Sequence, residues 1–542
     1  MTAFRCPHCG GYISFDPSSQ QVKCSYCESL LTVEEIDAGL DSIGYYRANE
    51  QVCPQCGAAV LSTDNTVATF CSYCGSSVVL SSRICAEKKP DAIIPFSISK
   101  NKCLEIWQQK LDKTLLAPNW MKEEELTSRF RGIYMPFYVY EYRTEGTWQG
   151  TASYTTLEGK YDVTRTYSLT AEPNAKIGSL AVDASAAFPD TMSRGVSPFN
   201  DNKEDKFSPA YLSGYYADAG DVDPEVYSSR FKELSEAHLE NTDFRMTRSR
   251  GREYKPLEVP GREIMKDMEL TENVRKVFYP VWLLNMRRND KVSYAAINGE
   301  SGKIAVDLPM DFGKFLMVCT TVAAALYLLL NLFFTFTPGA LAIISTLFSV
   351  IALFTADNQL NRLYRREHHY DDTGLLSLEE PEKAEKAVKV TKRHPMRARG
   401  KAARVLGIIG SILLFFLSAF LCLFVSVLLD NDTFPGMAFF LPTFSIVLLG
   451  IFISSLRTAK LKVKKAPLYW KFLILLQPFM GMAANFYVFY KDPVSDDWYY
   501  LSVIFSILMI ILCYFEIVLM QNKETQRDIP VFTGKRGETS ER

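Results

Sequence analysis

Cys6-Pro7-His8-Cys9, Cys24-Ser25-Tyr26-Cys27, Cys53-Pro54-Gln55-Cys56 and Cys71-Ser72-Tyr73-Cys74 decide how the N-terminal part of this chain folds. They make two copies of C-x2-C-x14-C-x2-C offset by 47 residues. A two-residue gap lets one tight turn present two sulfurs to one ion, and a 14-residue spacer folds as a hairpin that returns the second pair. The pattern predicts tandem zinc ribbons. Cys6, Cys9, Cys24 and Cys27 would hold one Zn²⁺, and Cys53, Cys56, Cys71 and Cys74 a second. Iron in a rubredoxin-like site is the rival metal, and disulfides the bland alternative.

From about residue 315 the composition turns apolar, so a net charge of -1 and a mean hydropathy of -0.02 average two unlike halves. Six stretches approach the length of a bilayer-spanning helix: 315–336, 340–356, 405–429, 436–456, 468–490 and 498–520. Residues 315–356 would reach about 63 Å as one helix, so Pro338-Gly339 marks a hairpin. The link 357–404 carries twelve Lys/Arg and the link 457–467 five, against one, Lys491, in the three opposite loops. The positive-inside rule then places both termini in the cytoplasm of an inner-membrane, multipass protein. Thirteen cysteines without a secretory leader agree with a reducing compartment for the N-terminal half.

The region between reads as α+β with an antiparallel sheet. Arg131–Arg143 recurs 144 residues later as Arg275–Arg287, two aromatic strands with an early proline, which suggests an internal duplication. The second copy continues through 291–298 and 303–307 as a meander; the first is expected to continue through 147–154 and 161–167. Ser99 can cap a helix with Cys103, Ile106, Trp107 and Leu111 on one face, and Asp223-Pro224 opens another with Tyr227, Phe231 and Leu234 on its stripe. The expected units are zinc ribbon 1 (1–40), zinc ribbon 2 (41–87), the α+β domain (88–312), an all-α six-helix transmembrane region (313–521) and a cytosolic tail (522–542).

The chemistry-bearing residues point away from catalysis. Of the five histidines, His8 lies inside a knuckle turn, His238 near an apolar helix face, and His368, His369 and His394 in the basic link. No triad, P-loop, G-x-G-x-x-G or H-E-x-x-H pattern occurs, so the chain is read as a non-enzyme. Each ribbon is acidic: Arg5 and Lys23 stand against Asp16, Glu28, Glu34 and Glu35, and Arg47 and Arg83 against Asp41, Glu50, Asp64 and Glu87. Tetrathiolate zinc adds further negative charge, so nucleic acid is a poor partner and a cytosolic protein a better one. The central thirds of the expected spans carry no Asp, Glu, Lys or Arg, and Gln477-Pro478, Gly481 and Asn485 form the one polar, kinkable stretch.

With the Cys-Pro-x-Cys ribbons, the segments Ala92–Phe96, Leu116–Trp120, Gly132–Tyr138, Tyr211–Tyr215, Tyr279–Trp282 and Asn298–Gly302 resemble a group of bacterial zinc-ribbon proteins without an established activity. Members are often labelled transcription-factor-IIB-type zinc ribbon proteins or replication-restart helicases; a helicase would need a Walker A loop, which is missing here. The resemblance spans roughly residues 1–310, and this chain departs from shorter members in its two ribbons and its spans. The functional expectation is a membrane protein whose cytosolic zinc ribbons recruit a protein as scaffold or sensor. A transporter or channel regulated by that head and a membrane-tethered nucleic-acid binder are the alternatives, and homo-oligomerisation is left open.

Overall fold

The structure is a computed structural model that describes residues 5–37, 44–63, 70–77, 81–246, 257–288, 290–332, 337–368, 467–491 and 493–529. The first unit is a three-stranded antiparallel sheet, β1 (Ile13–Asp16), β2 (Gln21–Cys24) and β3 (Leu30–Leu31). Alternation in β1 and β2 buries Ile13, Phe15, Val22 and Cys24 and exposes their neighbours, as the period of a half-buried strand requires.

The second four-cysteine segment is built differently. Its strands β4 (Tyr45–Val52), β5 (Ala59–Ser62) and β6 (Ser81–Lys88) belong to a 12-stranded sheet that also takes in β7 (Ala92–Ile93) and β8 (Arg131–Glu145). Beyond β8 the chain makes a hairpin, β9 (Trp148–Glu158) and β10 (Tyr161–Ala171), that pairs only with itself. It rejoins the large sheet through β11 (Lys176–Asp183), β12 (Asp205–Lys206) and β13 (Tyr216–Asp218). A small pair, β14 (Asp243–Met246) and β15 (Leu257–Pro260), precedes the long β16 (Glu269–Arg288), and β17 (Lys291–Asn298) and β18 (Ile304–Val306) close the meander.

The two strands matched in sequence are neighbours. β8 and β16 pair antiparallel from Glu269↔Glu145 to Leu283↔Arg131, and the equivalent residues Met135 and Tyr279 stand opposite each other. A local two-fold axis passes through that pair. It relates β8–β11 to β16–β17: Phe137 pairs with Asp183 as Val281 pairs with Asn298, and Ala184 N donates to Pro136 O at 2.8 Å as Gly299 N donates to Pro280 O at 2.8 Å. The partner strand in the first half is therefore β11. The expected continuation through 147–154 and 161–167 instead forms the β9–β10 hairpin, because Gly146 at φ +134° turns the chain out of the sheet.

The period-2 pattern of β8 and β16 splits the core into two layers. Tyr134, Phe278 and Trp282 face one layer with Phe96 and Trp107, while Ile133, Met135, Phe137, Tyr279 and Val281 face the other. The first layer draws on five of the six segments that carried the resemblance, through Phe96, Ala117, Tyr134, Tyr211 and Trp282. Phe96 stacks on Tyr215 with ring centroids 4.4 Å apart and meets Tyr134 and Trp282 edge-on at 4.9 and 5.3 Å. Gly132 and Gly299 permit that closeness, since a Cβ would stand 2.5 Å from Tyr215 or Phe96 respectively.

The helix Lys100–Asp112 is capped by Ser99 and buries Cys103, Trp107 and Leu111. The helix Glu225–Glu240 buries Tyr227, Ser235 and Leu239, whereas Leu234 is exposed, because the stripe turns toward Ser235. His238 is exposed too, so it is not a boundary residue of the core.

Three helices among the described residues are long and apolar enough to cross a membrane, Pro338–Leu363, Leu468–Phe489 and Asp497–Thr525, and Phe312–Leu326 is a shorter apolar helix. The expected spans 405–429 and 436–456 lie outside the described residues, so a count of six is not reached. The helix after Pro338 runs on to His368, past the expected end at 356, and takes Arg362, Arg365 and Arg366 with it. After Thr525 the chain returns to the sheet. β19 (Arg527–Asp528) pairs with β17, and Asn522 exchanges two hydrogen bonds with Met310, at 2.7 and 2.9 Å.

Candidate metal centres

Cys6, Cys9, Cys24 and Cys27 form one group and Cys53, Cys56, Cys71 and Cys74 another, each with its four sulfurs within 4.8 Å of one another. The sulfur separations are 3.7 Å (Cys6 to Cys27) and 3.5 Å (Cys9 to Cys24) in the first, and 3.7 Å (Cys53 to Cys74 and Cys56 to Cys71) in the second. A tetrahedral ion at ~2.3 Å from each sulfur sets its ligands about 3.8 Å apart, whereas a disulfide holds its sulfurs at about 2.05 Å. The spacing fits a four-coordinate metal. All eight predicted cysteines are brought together as expected, and the same geometry accommodates zinc or iron.

Both knuckles use one backbone design. In the first, Gly10 N donates to Cys6 O at 2.8 Å and Cys6 N to Gly11 O at 2.9 Å; in the second, Gly57 N donates to Cys53 O at 2.8 Å and Cys53 N to Ala58 O at 2.9 Å. Gly10 and Gly57 sit at φ +73° and +77°, the left-handed region that closes such a turn. The returning pairs repeat the design, with Gly75 at φ +70° and Glu28 at the equivalent place at φ +57°. Backbone amides of Gly11, Tyr26 and Tyr73 point at Cys9, Cys24 and Cys71 sulfurs, each at 3.4 Å. Such donors stabilise thiolate charge.

Sequence reading passed over one pair of residues. Ser29 Oγ lies 3.5 Å from Cys6 Sγ and 3.0 Å from Cys27 Sγ, and Ser76 Oγ lies 3.6 Å from Cys53 Sγ and 3.0 Å from Cys74 Sγ. The Ser29 hydroxyl, as a donor to sulfur, pulls the Cys6 thiol down to about 6 and lowers Cys27 as well. The signal was in the repeat: 29 and 76 differ by the same 47 residues as the cysteines.

The centres differ in setting. In the first, Cys9 and Cys27 are exposed, and Tyr26, Tyr12 and Leu30 around them are 82, 52 and 53% exposed. In the second, all four cysteines are buried. Asn285 Nδ2 on β16 donates to Cys71 O at 2.8 Å, and Tyr294 Oη on β17 donates to Tyr73 O at 2.9 Å. Tyr73 itself is fully buried and hydrogen-bonds to Asp218, which also accepts from Ser185 Oγ at 2.9 Å and Gly220 N at 2.8 Å. Burial, then neighbouring Asp221, pushes the Asp218 carboxyl above the usual carboxylate range. The second centre is thereby anchored to three strands of the sheet.

The apolar helices carry polar groups as well. Gln477 Nε2 donates to Glu516 at 3.0 Å, Gln359 Nε2 to Glu524 at 3.0 Å, and Asn485 Nδ2 to Ser345 and Thr346 at 2.8 and 3.0 Å, while the Ser349 and Ser506 hydroxyls meet at 3.0 Å. Glu516 is 9% exposed and lies just outside the central third of its expected span.

A sheet domain with two four-cysteine groups able to hold metal ions, joined to apolar helices of membrane-crossing length, defines a membrane-associated protein. No family model matches the chain, nor does any solved structure. The chain is 30% identical over 342 residues to the uncharacterized protein YdjG of Bacillus subtilis (strain 168), an alignment that covers 61% of this chain and 97% of that protein. The chain belongs to the YdjG family.

Proposed function

We propose that this is a multipass protein of the bacterial cytoplasmic membrane, with both termini cytoplasmic, whose two zinc centres divide the work of a non-catalytic recruiting scaffold. The second centre builds the sheet domain and the first presents a surface to a cytosolic protein. The observation that carries this reading is the contrast in exposure: four buried cysteines in one group, against a group whose edge shows Cys9, Cys27, Tyr26, Tyr12 and Leu30 to solvent. Exposed tyrosines on a rigid knuckle supply contact area at low entropic cost. The chain leaves the sheet after Val306 and regains it at Arg527, which supports an even number of crossings and agrees with the basic links facing inward.

A photo-crosslinking residue at position 26 tests the scaffold reading. It should trap one defined cytosolic protein in living cells, and Cys24→Ser should abolish the adduct while the protein stays in the membrane. An adduct pattern unchanged by Cys24→Ser would remove the ribbon from the account. A transporter is the second reading, favoured by the buried Gln477–Glu516 contact, since an ionisable group inside a membrane bundle commonly marks a pathway. Ion or solute flux in proteoliposomes that disappears with Glu516→Gln would put that reading first.

A further inference from the structure

A cleft of about 460 Å³ opens between the first ribbon and the sheet domain. Ser14 on β1 forms one wall. Lys100, at the start of its helix, and Arg131, at the start of β8, form the other, and Phe130, Tyr215 and Trp282 line its base. The walls are held in register by Phe15 N donating to Ser213 O at 2.9 Å and Gln20 Nε2 donating to Phe96 O at 2.8 Å. The volume lies within the range of small-molecule sites, ~300–1,000 Å³.

The charges are unbalanced. Lys100 Nζ donates to the Ser128 carbonyl at 3.1 Å, and Arg131 donates to Tyr216 Oη at 2.7 Å and lies 4.2 Å from the Phe70 ring centroid. Neither cation has a carboxylate partner among the described residues, and no Asp or Glu lines the cleft. Two like charges beside one cavity with aromatic walls repel each other and concentrate anions between them. Arg131 is also oriented in advance, its plane fixed by Phe70 and Tyr216, which suits a phosphate or carboxylate group. The aromatic base is equally fixed. Gly132 lets the Tyr215 ring lie where any side chain at 132 would collide with it, and Trp282 Nε1 donates to Ile98 O at 2.8 Å.

We propose that this cleft binds a small organic anion of nucleoside-monophosphate size, its phosphate or carboxylate between Lys100 and Arg131 and its flat ring against Tyr215 and Trp282. The ligand would touch the ribbon and the sheet together and so set how firmly the ribbon is held. This inference stands apart from the identity of any protein partner.

The probe is AMP, titrated by calorimetry into the full chain in lipid nanodiscs, with inorganic phosphate and adenosine as separate arms. AMP should bind saturably at one site per chain and at least tenfold more tightly than either arm. Lys100→Gln and Arg131→Gln should each weaken AMP about tenfold. Ser14→Trp, which fills the cleft from an exposed position and removes no charge, should abolish binding while zinc content and melting temperature stay unchanged. Absence of saturable AMP binding at millimolar concentration would overturn the proposal. So would AMP affinity equal to that of phosphate, or binding that persists in Ser14→Trp.

Discussion

Cys71→Ser and Cys24→Ser remove one thiolate from equivalent places in the two centres, yet they should have unequal consequences. Cys71 is 2% exposed, its carbonyl accepts from Asn285 and its sulfur accepts from the Tyr73 amide, so a knuckle that loses its ion frees the segment that packs against β16 and β17. Structural zinc contributes roughly 10–16 kcal/mol to the folding of zinc-finger peptides at neutral pH. A whole domain keeps a net stability of only about 5–15 kcal/mol. Loss of even ~5 kcal/mol in a domain of this size lowers the melting temperature by roughly 10–20 °C. Cys71→Ser should therefore abolish or greatly lower the main unfolding transition and expose the sheet to protease. Cys24→Ser should remove the three-stranded unit and lower the transition of the sheet less, because β1 to β3 lie outside its 12 strands and only pack on one of its layers, through contacts such as Phe15 against Tyr211. Thermal melting in detergent with zinc analysis of each variant gives the comparison. A Cys71→Ser protein that keeps the normal transition, or a Cys24→Ser protein that loses it, refutes the division of labour.

Tyr73→Phe removes one of three donors to buried Asp218 and should destabilise the sheet domain by about 1–3 kcal/mol, read from chemical denaturation. Acidification should release metal because protons compete with the ion for the ligand thiolates, which a chromogenic chelator can follow; in the first centre the Ser29 hydroxyl, which lowers Cys6 and Cys27, favours the thiolate form. The full chain should bind DNA or RNA only weakly near physiological salt, and Arg5, Lys23 and Arg47 changed together to Gln should leave that unaltered in a gel shift; Arg83 is excluded because it pairs with buried Glu50 at 2.5 Å. Accessibility labelling should find 493–496, before the last helix, outside the cell, and 526–529 with the sheet inside.

The eight cysteines were legible because ligand spacing is a local property, fixed by turn geometry within a few residues. Where each knuckle sits was not, since burial of the second depends on Asn285 and Tyr294, more than two hundred residues away in sequence. Strand content of 131–143 and 275–287 followed from their aromatic and β-branched composition. Their side-by-side pairing is a long-range register that no local pattern carries, and the hairpin after Gly146 misled the reading because its alternation is as strand-like as that of β11. The exposed His238 and Leu234 show how a short apolar stripe can be drawn one residue off its true face. Three of the expected spans, 340–356, 468–490 and 498–520, were readable from length and hydropathy. Glu516 became visible only when its partner on the neighbouring helix, Gln477, was placed beside it.

X-ray absorption combined with elemental analysis of the purified full chain tests the central claim most directly. The account predicts two zinc ions per chain, each in a shell of four sulfurs at about 2.3 Å. A single metal per chain, iron in place of zinc, or sulfur–sulfur distances near 2.05 Å in place of metal–sulfur ones would contradict it.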